Sequence, residues 1–314
     1  MKWNAAIFAL ALVYALLTAL QCAAQERPHR LVKAEMHNVM YHFSPAIAVH
    51  IVRLEGELSP TEARGIPIFD DAKSFTILIR SAKISVSTDA LTNVLNQYAL
   101  ARPDSPIKSV RVTTHDGKLK VQGRLHAKGD VPFESEGTLS VTPQGEIRVH
   151  TDRIKAGHLP IKGLLDLLGK SLAQLIDTRK VRGLRLEKDD MVLTPSELFP
   201  PPHIRGRLSS IAIVGNEVVQ QYGTDFQSWA KRPGNYMAYR GGRLRFGKLT
   251  MSDADLILID MDPQDAMDFY LNHYKDQLVA GYTKITPAFG LRSFFRDYNK
   301  LTQTQKSGGR PSQH

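Results

Sequence analysis

The longest run of regularly spaced apolar residues after the N-terminus lies between Lys155 and Asp177, KAGHLPIKGLLDLLGKSLAQLID. Ile161, Leu164, Leu165, Leu168, Leu172, Leu175 and Ile176 recur at steps of three and four, which places them on one helical face. Pro160 suits the first turn, where its missing N–H costs nothing. Gly163 and Gly169 each weaken a helix by roughly 1 kcal/mol relative to alanine, so packing must hold this one together. On both sides the pattern changes to alternation. In Ala46 to Leu58, Ile47, Val49 and Ile51 keep one phase, then Val52 and Leu54 continue in the opposite one. A slip of that kind predicts a bulge, and bulges bend sheets. Phe75 to Val86 repeats it, with Phe75, Ile77 and Ile79 on one phase and Ala82, Ile84 and Val86 on the next. Two long strands with a mid-strand phase change predict strong curvature.

Thr88 is the expected cap of a short helix carrying Leu91, Val94, Leu95 and Tyr98. Two hairpins follow. Val110 and Val112 alternate into Asp116-Gly117, and Leu119, Val121 and Leu125 alternate out; Leu139 and Val141 pair with Ile147 and Val149 around Pro143-Gln144-Gly145. Their intervening positions, such as Lys118, Lys120, Gln122, Arg124 and Arg148, are polar, so one face is wet. After the periodic stretch, Val181 to Leu186 pairs with Met191 to Leu193. Ile204 to Val214 then turns at Gly215-Asn216 into Val218 to Tyr222.

The expected architecture is α+β, a curved antiparallel sheet wrapped around a long apolar helix, plus a small C-terminal α+β unit. The expected divisions are a signal peptide over 1–24, a main domain over 25–223, the small unit over 236–300 and a polar tail over 301–314. Thr224 to Asn235 reads as a linker, and Gln25 to Met40 has no usable period. Within the small unit, Tyr236 to Tyr239 and Arg243 to Met251 flank Gly241-Gly242 as a hairpin. Asp255 to Ile259 reads as a buried strand. Asp262 reads as the cap of a helix from Pro263 that exposes Met267, Tyr270, Leu271, Tyr274 and Leu278.

Composition adds location and sign. At 42% hydrophobic and 23% charged the chain is globular in character, and its formal net charge of +10 suits an anionic partner. Lys2 precedes an apolar run from Ala5 to Leu20, and Cys22-Ala23-Ala24 ends it in small residues. That is the layout of a secretory signal peptide, with Gln25 the mature start and the periplasm or cell envelope the expected location. A retained anchor is the alternative. The single cysteine lies inside this segment, so the mature chain has no thiol for disulfides, metal ligation or nucleophilic attack. Outside the cytoplasm nucleic acid is an unsuitable partner, which leaves an anionic membrane surface or a phospholipid to explain the basic charge.

Candidate chemistry is sparse. Asp260, Asp262, Asp265 and Asp268 could supply oxygen ligands, but the spacing lacks the turn glycine and closing glutamate of an EF-hand. Helix capping explains them better. His37, His42, His50, His150, His158 and His273 are scattered, and no nucleophile or phosphate-loop motif is present. Arg240-Gly241-Gly242-Arg243 reads as a turn before it reads as an anion site. The sequence calls for no cofactor, no metal and no catalysis. What it offers is an apolar interior: Leu159, Ile161, Leu164, Leu165, Leu168, Leu172, Leu175 and Ile176 as the acyl-contacting surface, rimmed by Lys155, Lys162, Lys170, Arg179, Lys180 and Arg182.

Several of these segments also resemble a known family. Ile84-Ser85-Val86 leading into Leu91 to Leu95, VRVTTHDGKLKVQGRL, LSVTPQGEIRVHTDRIKAGHLPIKGLLDLL and PPPHIRGRLSSIAIVGNEVVQQYG together resemble the LmeA family of secreted bacterial phospholipid-binding proteins, which is related to the tubular lipid-binding (TULIP) fold. The resemblance covers about residues 75–223. It implies a helix in a curved sheet whose hollow holds acyl chains, and it implies no catalytic residues. The expected function is non-catalytic binding of a phospholipid or other acyl lipid in the envelope. A structural or protein-interaction module with a fully packed core is the alternative, and a secreted hydrolase using the aspartates is the weakest reading.

Overall fold

The computed structural model describes residues 31–63, 65–105, 107–126, 130–156, 159–160, 183–187, 190–224 and 234–302, all within one compact unit. Val32–Ser44 forms β1, Ile47–Pro60 β2 and Phe75–Ser87 β3. Helix α1 (Thr88–Val94) runs on into a π-helical turn at Leu95–Ala99. Then come β4 (Ile107–His115), β5 (Lys118–His126), β6 (Asp130–Val141), β7 (Ile147–Ala156), β8 (Leu159–Pro160), β9 (Leu184–Glu187) and β10 (Asp190–Leu193). Helix α2 (Pro195–Leu198) leads to β11 (His203–Arg205), β12 (Leu208–Val214), β13 (Glu217–Tyr222) and β14 (Tyr236–Arg240). The remainder is β15 (Leu244–Phe246), β16 (Leu249–Met251), β17 (Asp255–Asp260), β18 (Met267–Tyr270), helix α3 (Tyr274–Ala280), β19 (Tyr282–Ile285) and β20 (Leu291–Phe295).

Strands take 58% of the described residues against 13% for helices, and the large sheet curls into a half-barrel. This overturns the α+β expectation of a sheet wrapped on a long helix. Among the described residues no long apolar helix is seen, and the expected helix start is strand: β7 runs on through Lys155, which pairs with Pro160 of β8. Residues 161–182 lie outside the described residues. Local periodicity misled at Lys155 and Ala156 because antiparallel pairing with Pro160 and Leu159 serves their backbone as well as a helical turn would.

The large sheet has the order β12-β13-β3-β2-β1-β14-β17-β20-β19, with β11 beside β3 and β18 beside β1. A smaller sheet, β4-β5-β6-β7-β10-β9 with β8 on β7, faces one flank of it. The phase slips are real bulges. β2 shifts register against β3 between Ile51 and Arg53 and again between Glu55 and Gly56, while Ile51, Leu54 and Leu58 all stay buried. Asp116 and Gly117 both take positive φ, the turn whose twist matches the flanking strands. Ser87 rather than Thr88 caps α1, accepting a bond from the Ala90 N–H at 3.1 Å.

Other expectations are corrected. β1 was invisible as a pattern, yet it sits mid-sheet between β2 and β14. Tyr236–Arg240 pairs with β1 and β17, while β15 and β16 make their own hairpin. Met267 to Tyr270 is not helical but a strand parallel to β1, buried at all four positions. Its apolar run fits a doubly covered strand as well as a helix face. Strands β14, β17, β18, β19 and β20 therefore continue the large sheet. Beneath them the interior is filled with rings: Phe69 lies 5.1 to 5.9 Å from Tyr239, Phe246, Phe269 and Tyr274.

Candidate functional site

Between the smaller sheet and the flank of the large one lies an apolar hollow of about 180 Å³. Its floor comes from the inward positions of the smaller sheet, Val112 on β4, Leu119 and Val121 on β5, Phe133 and Leu139 on β6, and Val149 on β7. Alternation along each strand puts these inward and the charged partners outward. The outward face is wet and internally neutralised: Lys118 meets Asp152 at 2.8 Å, Lys120 meets Glu134 at 3.0 Å and Arg148 meets Asp190 at 3.4 Å. Bonding to Lys118 and Lys120 respectively holds the Asp152 and Glu134 carboxyls below their ordinary range.

Short helices and strand ends close the sides. Leu91, Val94 and Leu95 enter from α1 and its π turn, Leu198 and Phe199 from α2, and Ile211 and Val218 from β12 and β13. The two sheets are tied together at the ends of the hollow. Thr114 Oγ1 donates to the Gly215 carbonyl at 2.8 Å, and the Leu208 N–H donates to the Gly145 carbonyl at 3.2 Å. Glu146 anchors the far strand β9, accepting two bonds of 2.9 Å from the Arg185 guanidinium, which holds the Glu146 carboxyl low.

Among the described lining residues only Ser135 and Gln220 are polar. Gln220 is buried, and its carbonyl oxygen accepts the Tyr222 hydroxyl at 3.0 Å. Phe199 and Gln220 also line a second, smaller apolar cavity of about 30 Å³, among Tyr41, Phe43, Val49 and Ile84. The Phe199 ring, 5.6 Å from that of Phe43, is thus a partition between the two spaces.

Of the residues expected to contact or rim the acyl chains, Leu159 and Lys155 fall among the described residues. Leu159 opens β8, and Lys155 is exposed on β7 opposite Glu134, on the solvent face of the smaller sheet. Ile161, Leu164, Leu165, Leu168, Leu172, Leu175, Ile176, Lys162, Lys170, Arg179, Lys180 and Arg182 lie outside the described residues. The residues that line the hollow were legible as alternating strands. What the alternation did not disclose is that these strands belong to two separate sheets whose described residues leave a hollow between them.

The aspartates also regroup. Asp260, Asp262 and Asp297 bring carboxylate oxygens within 4.8 Å of one another. Asp268 instead meets His42 at 2.5 Å, and Asp265 meets Lys300 at 3.0 Å. No helix starts at Asp262, which removes the capping explanation. Lys300 Nζ, 2.9 Å from Asp297 Oδ2, supplies the positive charge, and the Asn235 amide donates to Asp260 at 2.7 Å. Burial pushes both the Asp260 and Asp297 carboxyls up. The group is a clamp joining β17 to the segment after β20. The chain matches no family model, no curated protein and no solved structure.

Proposed function

We propose that this protein is a non-catalytic lipid-binding protein of the cell envelope, holding acyl chains in the hollow between its two sheets. The observation that carries this reading is the size and chemistry of that space. An engineered apolar cavity of about 150 Å³ stays dry and takes up benzene. This one is larger, at about 180 Å³, and among the described residues that line it all but two are apolar. An unfilled space of that size forfeits packing at roughly 20 cal/mol per Å² of its surface, a cost that an apolar guest removes. Ser135 and Gln220 are the kind of sparse polar groups that orient a guest in such a site. The basic charge, the signal-peptide-like N-terminus and the resemblance to phospholipid-binding proteins support the same reading.

Organic extraction of the native protein followed by mass spectrometry should recover an acyl lipid, and a fluorescent fatty acid should bind the stripped protein. Val121→Trp and Met191→Trp, made separately, should abolish that binding with a nearly native unfolding midpoint, because the new ring enters empty space. In a filled core the same change costs about 1–3 kcal/mol. No lipid, no fatty-acid binding and two destabilised variants would show a solid interior and sink the reading.

A further inference from the structure

At the opposite end of the large sheet, away from the smaller one in strand order, the β19–β20 hairpin ends in exposed apolar side chains. Phe289 is 90% exposed and Ile285 70%. The turn itself is well built: the Thr286 N–H donates to the Gly290 carbonyl at 2.8 Å, and the Gly290 N–H donates to Thr286 Oγ1 at 2.9 Å. Yet its Phe289 has φ +59, a backbone conformation suited to glycine or asparagine. A bulky aromatic residue in that conformation recovers nothing by packing here, since the ring faces solvent. Such strain points to a use outside the folded monomer.

The apolar residues are not confined to one face. In the β19–β20 register Tyr282 pairs with Phe294 and Ile285 with Leu291, so Tyr282 and Ile285 point to opposite faces of the ribbon. A flat protein partner would need one face; immersion in an apolar medium uses both. Lys284 Nζ lies 5.3 Å from the Tyr282 ring centroid and 5.8 Å from that of Phe294, with those two rings stacked at 4.4 Å. From Gln277 to Arg296 there is no aspartate or glutamate, but there are Lys284, Arg292 and Arg296. Arg292 is neutralised by Asp255 at 2.9 Å, which leaves Lys284 to supply the positive charge next to the tip.

We propose that this hairpin is a membrane-docking finger that seats Phe289 and Ile285 in the outer acyl layer of an anionic bilayer, with Tyr282 and Lys284 at the headgroup level. Amphipathic rings and lysines with apolar stems occupy that level in membrane proteins generally. The inference stands on the surface alone and does not rest on the hollow. The test is co-sedimentation of the full chain with vesicles of phosphatidylglycerol and phosphatidylcholine. Phe289→Asn relieves the backbone while deleting the wedge. It should lower partitioning by about tenfold or more, with an unchanged or higher unfolding midpoint and unchanged fatty-acid binding. Lys284→Glu should weaken binding several-fold at low salt, and the difference should shrink as salt rises. Wild-type protein that stays in the supernatant would overturn the proposal, as would a Phe289→Asn variant that binds vesicles equally. So would a Phe289→Asn variant whose only effect is to dissociate a dimer.

Discussion

Asn96 stands where a neighbouring strand would otherwise pair with the outer edge of β4. Its amide nitrogen donates to the Val110 carbonyl at 2.6 Å, and its amide oxygen accepts the Val110 N–H at 2.8 Å. Thr92 Oγ1 accepts the next free donor, the Val112 N–H, at 2.9 Å. A register shift between Lys108 and Arg111, with Ser109 at φ +53, turns Val110 toward the helix. The π turn after α1 in turn carries Leu95 into the hollow. Two side chains thereby satisfy an edge that would otherwise invite pairing with another chain. Asn96→Leu removes both partners of Val110, so urea unfolding should show a loss of about 1–3 kcal/mol. A loss below the error of that measurement would mean that water replaces the amide.

At the scale of elements, α2 and the proline run after it act as a wedge between the two sheets. Phe199, between α2 and the prolines, is 6% exposed and divides the large cavity from the small one. Phe199→Ala should join the two spaces, so that displacement assays show a preference shifted toward longer acyl chains. Truncating a packed phenylalanine costs about 3–5 kcal/mol in stability. Part of that loss should return when a long chain is bound, which a thermal midpoint with and without ligand would register. An unchanged length preference would show that the two cavities stay separate or that chains lie elsewhere. The bulges in β2 and β3 work at the same scale. They bend the long strands so that the large sheet curls over its contents instead of lying flat against a second sheet.

For the whole molecule, the joint between the middle and the C-terminal end of the large sheet depends on charge. Asp260 and Asp297 have folded pKa values raised mainly by burial, above those of the unfolded chain. Their ionised forms are therefore penalised in the folded state at neutral pH, and the penalty is relieved as pH falls through the folded values toward 3.8. His50 opposes this. Burial lowers its pKa below 6.5, so stability is lost as pH drops from 6.5 toward the folded value. Urea midpoints should accordingly fall first on acidification. Asp297→Asn should lack part of the recovery at lower pH, and His50→Gln part of the initial fall. Parallel curves for all three proteins would rule out this linkage.

The sequence by itself determined most strands and turns. Alternation with a mid-strand slip located β2 and β3 and their bulges, Asp116-Gly117 and Gly215-Asn216 located hairpins, and charged outward positions marked the wet face of the smaller sheet. These features are local, because side-chain direction in a strand and positive φ at a turn follow from the residues themselves. Tertiary structure alone decided the rest. β1 has no clean period because it is flanked by β2 and β14 and covered on part of both faces. Met267 to Tyr270 became strand because β1 offered it a parallel edge, which outweighs a helical spacing of apolar residues. Asp297 joined Asp260 and Asp262 from beyond β20, a distance in sequence that no motif spans. The hollow belongs to the same class. Each described lining residue reads as ordinary core, and only the placing of one sheet against the other makes the hollow between them a candidate site.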